Sequence, residues 1–365
     1  MIKYLGSKRR LVPVLGSIFG ALAPRTALDL FTGTTRVAQE LKRRGAEVWA
    51  VDTARYSEVL AQTYVATEAT TVDHERLAQV LAELSALPGR RGYFTRTFCE
   101  DARFVQPKNG RRVDAIRDRL AEAYADDPLH PLLLTSLLEA TDRVDSTTGV
   151  QMAYLKGWAP RSHRDLELRV PGLLCGAGHA IRGDALEVAP SLPEVDVAYL
   201  DPPYNQHRYF TNYHVWETLV AWDAPPHYGV ACKRLDCRDP ATKSPFNGRR
   251  TMAAALGAAV AAVRAEVLVV SFSNEGFVAL DDLVAMVGAA QEHVAVLAFD
   301  SKRYVGAQIG IHNHLGERVG RVSHLRNVEY VVVGGPRAAV DAAVAAVGSA
   351  GGEALADGPG RHLGA

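Results

Sequence analysis

The sequence predicts an α/β fold: a doubly wound, mostly parallel seven-stranded sheet carrying a helical insertion subdomain. Three observations predict it. Seven short apolar runs recur along the chain, with helical stretches between most of them. The first two runs frame a small-residue turn and a helix, and the second ends in an acid, which is the opening of a nucleotide-type sheet. Between the second and third runs the alternation stops over roughly residues 55–175, a stretch too long to be a loop.

Ala27–Phe31 reads as a buried strand, Thr32-Gly33-Thr34-Thr35 as a tight turn and Arg36–Arg44 as a helix. Glu47–Val51 is the second strand and delivers Asp52 at its end. Within the insertion, apolar residues recur at helical spacing over Glu75–Leu87, Val113–Tyr124 and Pro131–Val144, separated by polar connections containing Gly or Pro. Five more strands are expected at His179–Arg182, Val195–Leu200, Glu266–Phe272, His293–Phe299 and Asn327–Val333. The chain therefore divides into a sheet domain (1–54 and 176–347), a helical insertion (55–175) and a Gly- and Ala-rich tail without aromatics (348–365) that is expected to be disordered.

At 365 residues and 48% hydrophobic content the chain can bury a large core. Its formal net charge is zero, but that average can hide a local basic surface, so a nucleic-acid partner has to be judged from clustering. Cys99, Cys175, Cys232 and Cys237 have neither Cys-x-x-Cys spacing nor histidines at zinc-finger intervals, and read as reduced thiols. His312, His314 and His324 lack acidic or cysteine ligands at fixed spacing, so no metal is expected. No apolar run is long enough to span a membrane, and residues 1–8 lack a signal-peptide core, which points to the cytoplasm.

The chemistry is carried by Asp201-Pro202-Pro203-Tyr204, which closes the fourth apolar run. Two prolines fix the backbone, Asp201 and the Pro202 carbonyl can accept hydrogen bonds from an exocyclic amino group, and Tyr204 offers a ring face to a base. The same four residues also suit an ordinary strand-ending turn, so their neighbours decide. The turn after Asp29 lacks the Gly-x-Gly-x-x-Gly spacing that brings backbone against a pyrophosphate, which disfavours NAD and FAD. A single glycine, Gly33, with a helix N-terminus at Thr34 and Thr35, suits a ligand with a carboxylate and no phosphates. Asp52 suits a ribose diol, and Asp184, in Gly183-Asp184-Ala185-Leu186, suits an adenine amino group. S-adenosylmethionine has these parts.

Together, Lys3-Tyr4-Leu5-Gly6-Ser7-Lys8, the Asp29–Thr35 turn, Asp52, Asp184 and Asp201–Tyr204 resemble the Dam-like class of adenine-specific DNA methyltransferases, over most of the chain. Residues 93–99, 106–110, 142–146 and Asn205-Gln206-His207-Arg208-Tyr209-Phe210 look like stretches of its restriction-modification subgroup. The resemblance implies a class I SAM-dependent methyltransferase fold, with Tyr4 and Lys8 binding the methionine side of the cofactor and Asp29, Phe31, Gly33 and Thr34 lining its pocket. It further implies that Asp52 holds the ribose and Asp184 the adenine. Asp201, also beside the cofactor, and the Pro202 carbonyl would hold the target amino group, Pro203 would stiffen the motif, and Tyr204 would stack on the extruded base. Thr35 departs from the commoner family form, which has glycine there.

Arg90, Arg91, Arg96, Arg103, Lys108, Arg111 and Arg112 lie among Tyr93, Phe94 and Phe104 in the insertion, a local basic cluster. Arg96, Arg103, Gln106, Lys108, Asn109 and Arg111 are the candidate DNA contacts, the cations for phosphates and Gln106 and Asn109 for base edges. Residues 161–164 and 243–250 are further basic segments, the latter expected to support the backbone near the extruded base. The implied partners are double-stranded DNA and a separately encoded restriction endonuclease. Two other readings stay open: methylation of an RNA adenine, against which Asp201 counts because such enzymes more often carry Asn there, and a non-catalytic DNA-binding protein on the same fold.

Overall fold

The computed structural model describes residues 2–155, 157–302, 311–312, 318–320, 326–348 and 353–357. All seven expected strands form. They are β1 (Thr26–Asp29), β2 (Glu47–Asp52), β3 (Gly178–Arg182) and β4 (Val195–Leu200), then, after a small hairpin of β5 (His227–Tyr228) and β6 (Lys233–Arg234), β7 (Ala265–Ser273) and β8 (His293–Lys302). The short strands β9 (Ile311–His312) and β10 (Arg318–Gly320) pair with each other, and β11 (Arg326–Gly335) returns to the main sheet. The sheet order is β8-β11-β7-β4-β1-β2-β3, with β11 antiparallel to both neighbours.

An eighth strand, β12 (Glu353–Asp357), adds antiparallel to the outer edge of β8. The tail expected to be disordered thus contributes an edge strand, because the unpaired backbone of β8 offers it a ladder that composition does not reveal. The rest of that tail beyond residue 348 lies outside the described residues. So do His314 and His324 of the histidines weighed as metal ligands, while His312 is described only as part of β9. Among the described residues no group of three or more His, Cys, Asp or Glu is arranged to hold a metal ion.

Side chains alternate between two cores, one on each sheet face. Val267 and Val269 of β7 meet α1 (Val12–Leu22), α2 (Arg36–Arg43) and the C-terminal helix Arg337–Gly348 on one side. Leu268 and Val270 meet the helices Met252–Ala262 and Leu280–Ala290 on the other. Because β1 pairs in parallel with both β2 and β4, chain order reverses at β1, and the carboxyl ends of these strands open a crevice there.

A third core belongs to the helical body, and it takes in residues from outside 55–175. The helix α3 (Arg55–Ala61) and the π-helical turn to Ala66 form the crossover from β2 to β3, with Ala61 and Val65 in a sheet core and Tyr56, Leu60 and Tyr64 in the helical core. The body contains α4 (His74–Ala86), α5 (Pro107–Ala123) and α6 (His130–Arg143), and it also recruits Tyr213, Trp216 and Leu219 from the helices that follow Asp201–Tyr204. Arg117 of α5 fixes that junction by donating to the carbonyls of Leu219 and Val220, both at 2.9 Å.

Candidate active site

The strand ends assemble the site. A cavity of about 250 Å³ opens at the carboxyl edge of β1, β2, β3 and β4. Of the expected residues, Tyr4, Phe31, Asp52, Asp184, Asp201 and Pro203 line it. Lys8, Asp29, Gly33, Thr34, Pro202 and Tyr204 are not part of the lining; Asp29, Pro202 and Tyr204 adjoin lining residues in sequence, Lys8 pairs with Asp201, and Gly33 N donates to Asp52. The wall also contains residues that sequence reasoning missed, chiefly Gly6, Arg208, Tyr209 and Thr242. The segment 243–250 was expected near the target, and its Lys243, Ser244, Phe246 and Asn247 line the cavity.

Asp201 is set by charge. Its Oδ1 lies 3.0 Å from Lys8 Nζ, which also reaches Glu329 Oε2 of β11 at 3.3 Å. Burial pushes the Asp201 carboxyl up to about 6, against the opposing pull of Lys8. Burial opposes the charge on Lys8 as well, yet Asp201 and Glu329 outweigh it and hold the ammonium well above its ordinary range. The Lys8 ammonium stands 5.7 Å from the centre of the Tyr204 ring, and that ring packs edge-on against Phe272 at 5.7 Å. Tyr204 is anchored through its carbonyl, which accepts from Phe277 N at 2.9 Å.

Asp29 has two occupations. Its Oδ2 accepts from Thr32 Oγ1 and from Ala38 N of α2, both at 3.0 Å, so it caps a helix whose own N-cap residue, Thr35, makes no side-chain cap. Its Oδ1 is buried and has no hydrogen-bond partner among the described residues. Burial, reinforced by the charges of Asp201 and Asp52, pushes this carboxyl up to about 7, and its bonds with Thr32 and Ala38 oppose the rise. An orphaned carboxylate oxygen with two acidic neighbours fits a cation, as the ammonium of a bound methionine end would be.

Asp52 closes the turn: its Oδ2 accepts from Gly33 N at 2.9 Å and its Oδ1 from Ala54 N at 3.0 Å. Gly33 has φ +50, and a Cβ there would sit 3.0 Å from Tyr4 Cε1. Tyr4 in turn packs against the rings of Tyr213, at 4.8 Å, and Tyr209, at 5.1 Å, which leaves it little room to shift. Gly33→Ala is therefore expected to destabilise the protein by about 1–3 kcal/mol and to weaken methyl-donor binding, as urea unfolding and calorimetric titration would read. Thr35 has φ +62, in the left-handed region where glycine is the easier residue. Here hydrogen bonds from Thr35 Oγ1 to Thr34 O (2.7 Å) and from Gln39 Nε2 to Thr35 Oγ1 (2.8 Å) offset the strain.

Asp184 caps the helix after β3, accepting from Leu186 N at 2.8 Å while standing on the cavity wall. The candidate DNA contacts fare differently. Asn109 is 2% exposed, its Nδ2 donating to Arg164 O (2.8 Å) and its Oδ1 accepting from Leu166 N (3.0 Å), so the expected base-edge contact is corrected to a structural tie. Asn109→Ala is expected to cost about 2–4 kcal/mol in urea unfolding, since two buried partners lose their bonds, and to leave the methylated sequence unchanged. Gln106 meets His163 Nδ1 at 3.0 Å, Lys108 pairs with Asp165 at 2.6 Å, and Arg103 stacks on Trp158 at 4.8 Å. Arg90 pairs with Asp118 and Arg91 with Glu100, so much of the basic cluster is neutralised locally, while Arg96 and Arg111 stand exposed.

This sheet order, with acids at the ends of β1, β2 and β4, is that of the class I fold of S-adenosylmethionine-dependent methyltransferases. Within that class, the family of D12 class N6 adenine-specific DNA methyltransferases matches residues 4–242, and the chain belongs to it. It is similar to the type II methyltransferase M.NlaIII of Neisseria lactamica, 30% identical over 61% of this chain and 70% of the relative. It is also similar to the modification methylase StsI of Streptococcus sanguinis (26% identical, 77% of this chain, 45% of the relative) and to the type II methyltransferase M.FokI of Planomicrobium okeanokoites (27%, 67% and 42%). The chain spans less than half the length of these last two.

Proposed function

We propose that the protein transfers a methyl group from S-adenosylmethionine to the exocyclic amino nitrogen of adenine at a specific site in double-stranded DNA, as the modification arm of a restriction-modification system. The observation that carries this reading is Asp201 on the cavity wall, ion-paired with Lys8 at 3.0 Å and flanked by Pro203. When bound, S-adenosylmethionine supplies an electrophilic sulfonium methyl. Asp52 and Asp184 on the wall would hold its ribose and adenine, and the unpartnered Asp29 Oδ1 its ammonium.

Asp201 and the Pro202 carbonyl accept the two amino hydrogens of the target adenine. That polarises the nitrogen towards tetrahedral, so its lone pair leaves the ring system and is free to attack. Lys8 fixes one Asp201 oxygen and keeps the group ionised at neutral pH, ready to take the proton released after transfer. Tyr204 stacks on the base, offsetting part of the few kcal/mol of unstacking that extrusion from a duplex costs. The reading includes the cytoplasm of a bacterial cell, where the DNA lies, and a separately encoded endonuclease. Among the described residues no helix is long and apolar enough to cross a membrane.

Because Asp201 must be ionised to accept, kcat/KM for DNA is expected to fall tenfold per pH unit below about 6 and to level off above it. The acid limb should vanish in Asp201→Asn, whose side chain does not titrate. The reading itself is tested by incubating the purified protein with radiolabelled donor and either duplex DNA or RNA, then digesting to nucleosides. Label in N6-methyl-2′-deoxyadenosine, from DNA alone, is expected. Label from RNA alone, or none from a folded protein that binds the donor, would overturn it.

A further inference from the structure

Arg208 is a cation on the cavity wall with no anionic partner, since no ion pair joins it to a carboxylate among the described residues. Its Nη2 donates only to neutral acceptors, the Cys237 carbonyl at 2.8 Å and Thr242 Oγ1 at 3.4 Å. Its Nε is buried and has no hydrogen-bond partner among the described residues. A guanidinium on a cavity wall whose charge no carboxylate compensates attracts an anionic ligand into that cavity.

The side chain is also presented rigidly. Asn205 Oδ1 accepts from His207 N at 3.0 Å, and Asn247 Nδ2 donates to the carbonyls of Asn205 (2.7 Å) and His207 (3.1 Å). The Arg208 carbonyl then accepts from Asn212 N at 2.9 Å and starts the next helix. The three residues Asn205-Gln206-His207 are therefore a fixed spacer between the ring that would meet the base and the guanidinium.

We propose that Arg208 binds a phosphate flanking the extruded adenosine and is a positioning residue for methyl transfer, an inference that rests on the target nucleotide entering this cavity. Lys243 and Ser244 share the wall with it and supply an ammonium and a hydroxyl, donors that phosphate oxygens take alongside an arginine fork. The strand-end part of the wall instead carries Asp52, Asp184 and Asp201, so an anion in the cavity is drawn to the Arg208 segment. The carboxylate of the methyl donor is the competing anion, and the test separates the two.

The test uses the full chain and a duplex that the wild type methylates, so that failure to find any such duplex indicts the underlying reading and not Arg208. A neutral methylphosphonate replaces, in turn, each phosphate flanking the target adenosine. At one position it should lower wild-type kcat/KM by about ten- to a hundredfold. Arg208→Ala should show that loss on unmodified DNA and no further loss with methylphosphonate, Arg208→Lys should recover part of it, and donor affinity by calorimetry should stay within about twofold of wild type. Should Arg208→Ala not fold, the lysine variant carries the same cycle, with a penalty smaller than the wild type's expected. Equal methylphosphonate penalties in wild type and variants would overturn the proposal. So would lost donor affinity with an unchanged KM for DNA, which would assign Arg208 to the donor's carboxylate.

Discussion

Asp201→Ala is expected to lower single-turnover methyl transfer by about a hundred- to ten-thousandfold while the protein stays folded. The loss is chemical because the substitution deletes the acceptor that polarises the target amino group. The fold survives because Lys8 keeps its second partner, Glu329, at 3.3 Å, so no buried cation is stranded. Removing a carboxyl that burial has pushed up to about 6 also removes a group that the interior resists ionising. Urea unfolding should therefore show a stability equal to or above wild type's, and donor binding should persist. Asp201→Asn keeps one carbonyl acceptor and should fall between the two.

Lys8→Met has the second largest expected effect and separates two roles for this residue. The family resemblance gives Lys8 to the methionine end of the cofactor, whereas the structure joins it to Asp201 and Glu329. Removing the ammonium leaves two carboxylates, 18% and 14% exposed, without their shared cation, and breaking such a pair costs about 3–5 kcal/mol. Without the opposing pull of Lys8 the Asp201 carboxyl rises further, so the acid limb of the rate profile should move above about 6 and activity at neutral pH should fall by about a hundredfold. Raising the pH should restore part of it. A profile with an unmoved limb and a raised KM for the donor would return Lys8 to the cofactor-binding role.

Much of the fold is legible in the sequence because each strand is a short apolar run bounded by turn residues. Val195–Leu200 forms with its predicted bounds, and the three insertion helices lie within a few residues of theirs, α5 starting earlier because Pro107 suits a helix's first position. The helical body was not legible as a unit. Its core draws Tyr213, Trp216 and Leu219 from beyond Asp201, and periodicity reports which face of a helix is apolar without saying what covers it.

The acids of the site are legible for a local reason: Asp29, Asp52, Asp184 and Asp201 all stand at or just beyond strand ends. The partners that tune them are not. Glu329 lies 321 residues from Lys8, and nothing near either residue announces the other. Asn109 illustrates the converse, since an amide in a basic helical stretch reads as a base-edge contact until its burial and its two backbone partners are seen. Arg208 is a cation four residues after Tyr204, and that spacing alone does not reveal its place on the cavity wall.

The central claim is that Asp201 and its neighbours methylate adenine in DNA at one kind of site. Modification-sensitive long-read sequencing of DNA from a methylation-free host, expressing either the wild type or Asp201→Ala, tests it most directly. A single sequence motif carrying methylated adenine with the wild type, and absent with the soluble variant, is the predicted result. No such motif with soluble wild-type protein, or the same motif with both, would contradict the account.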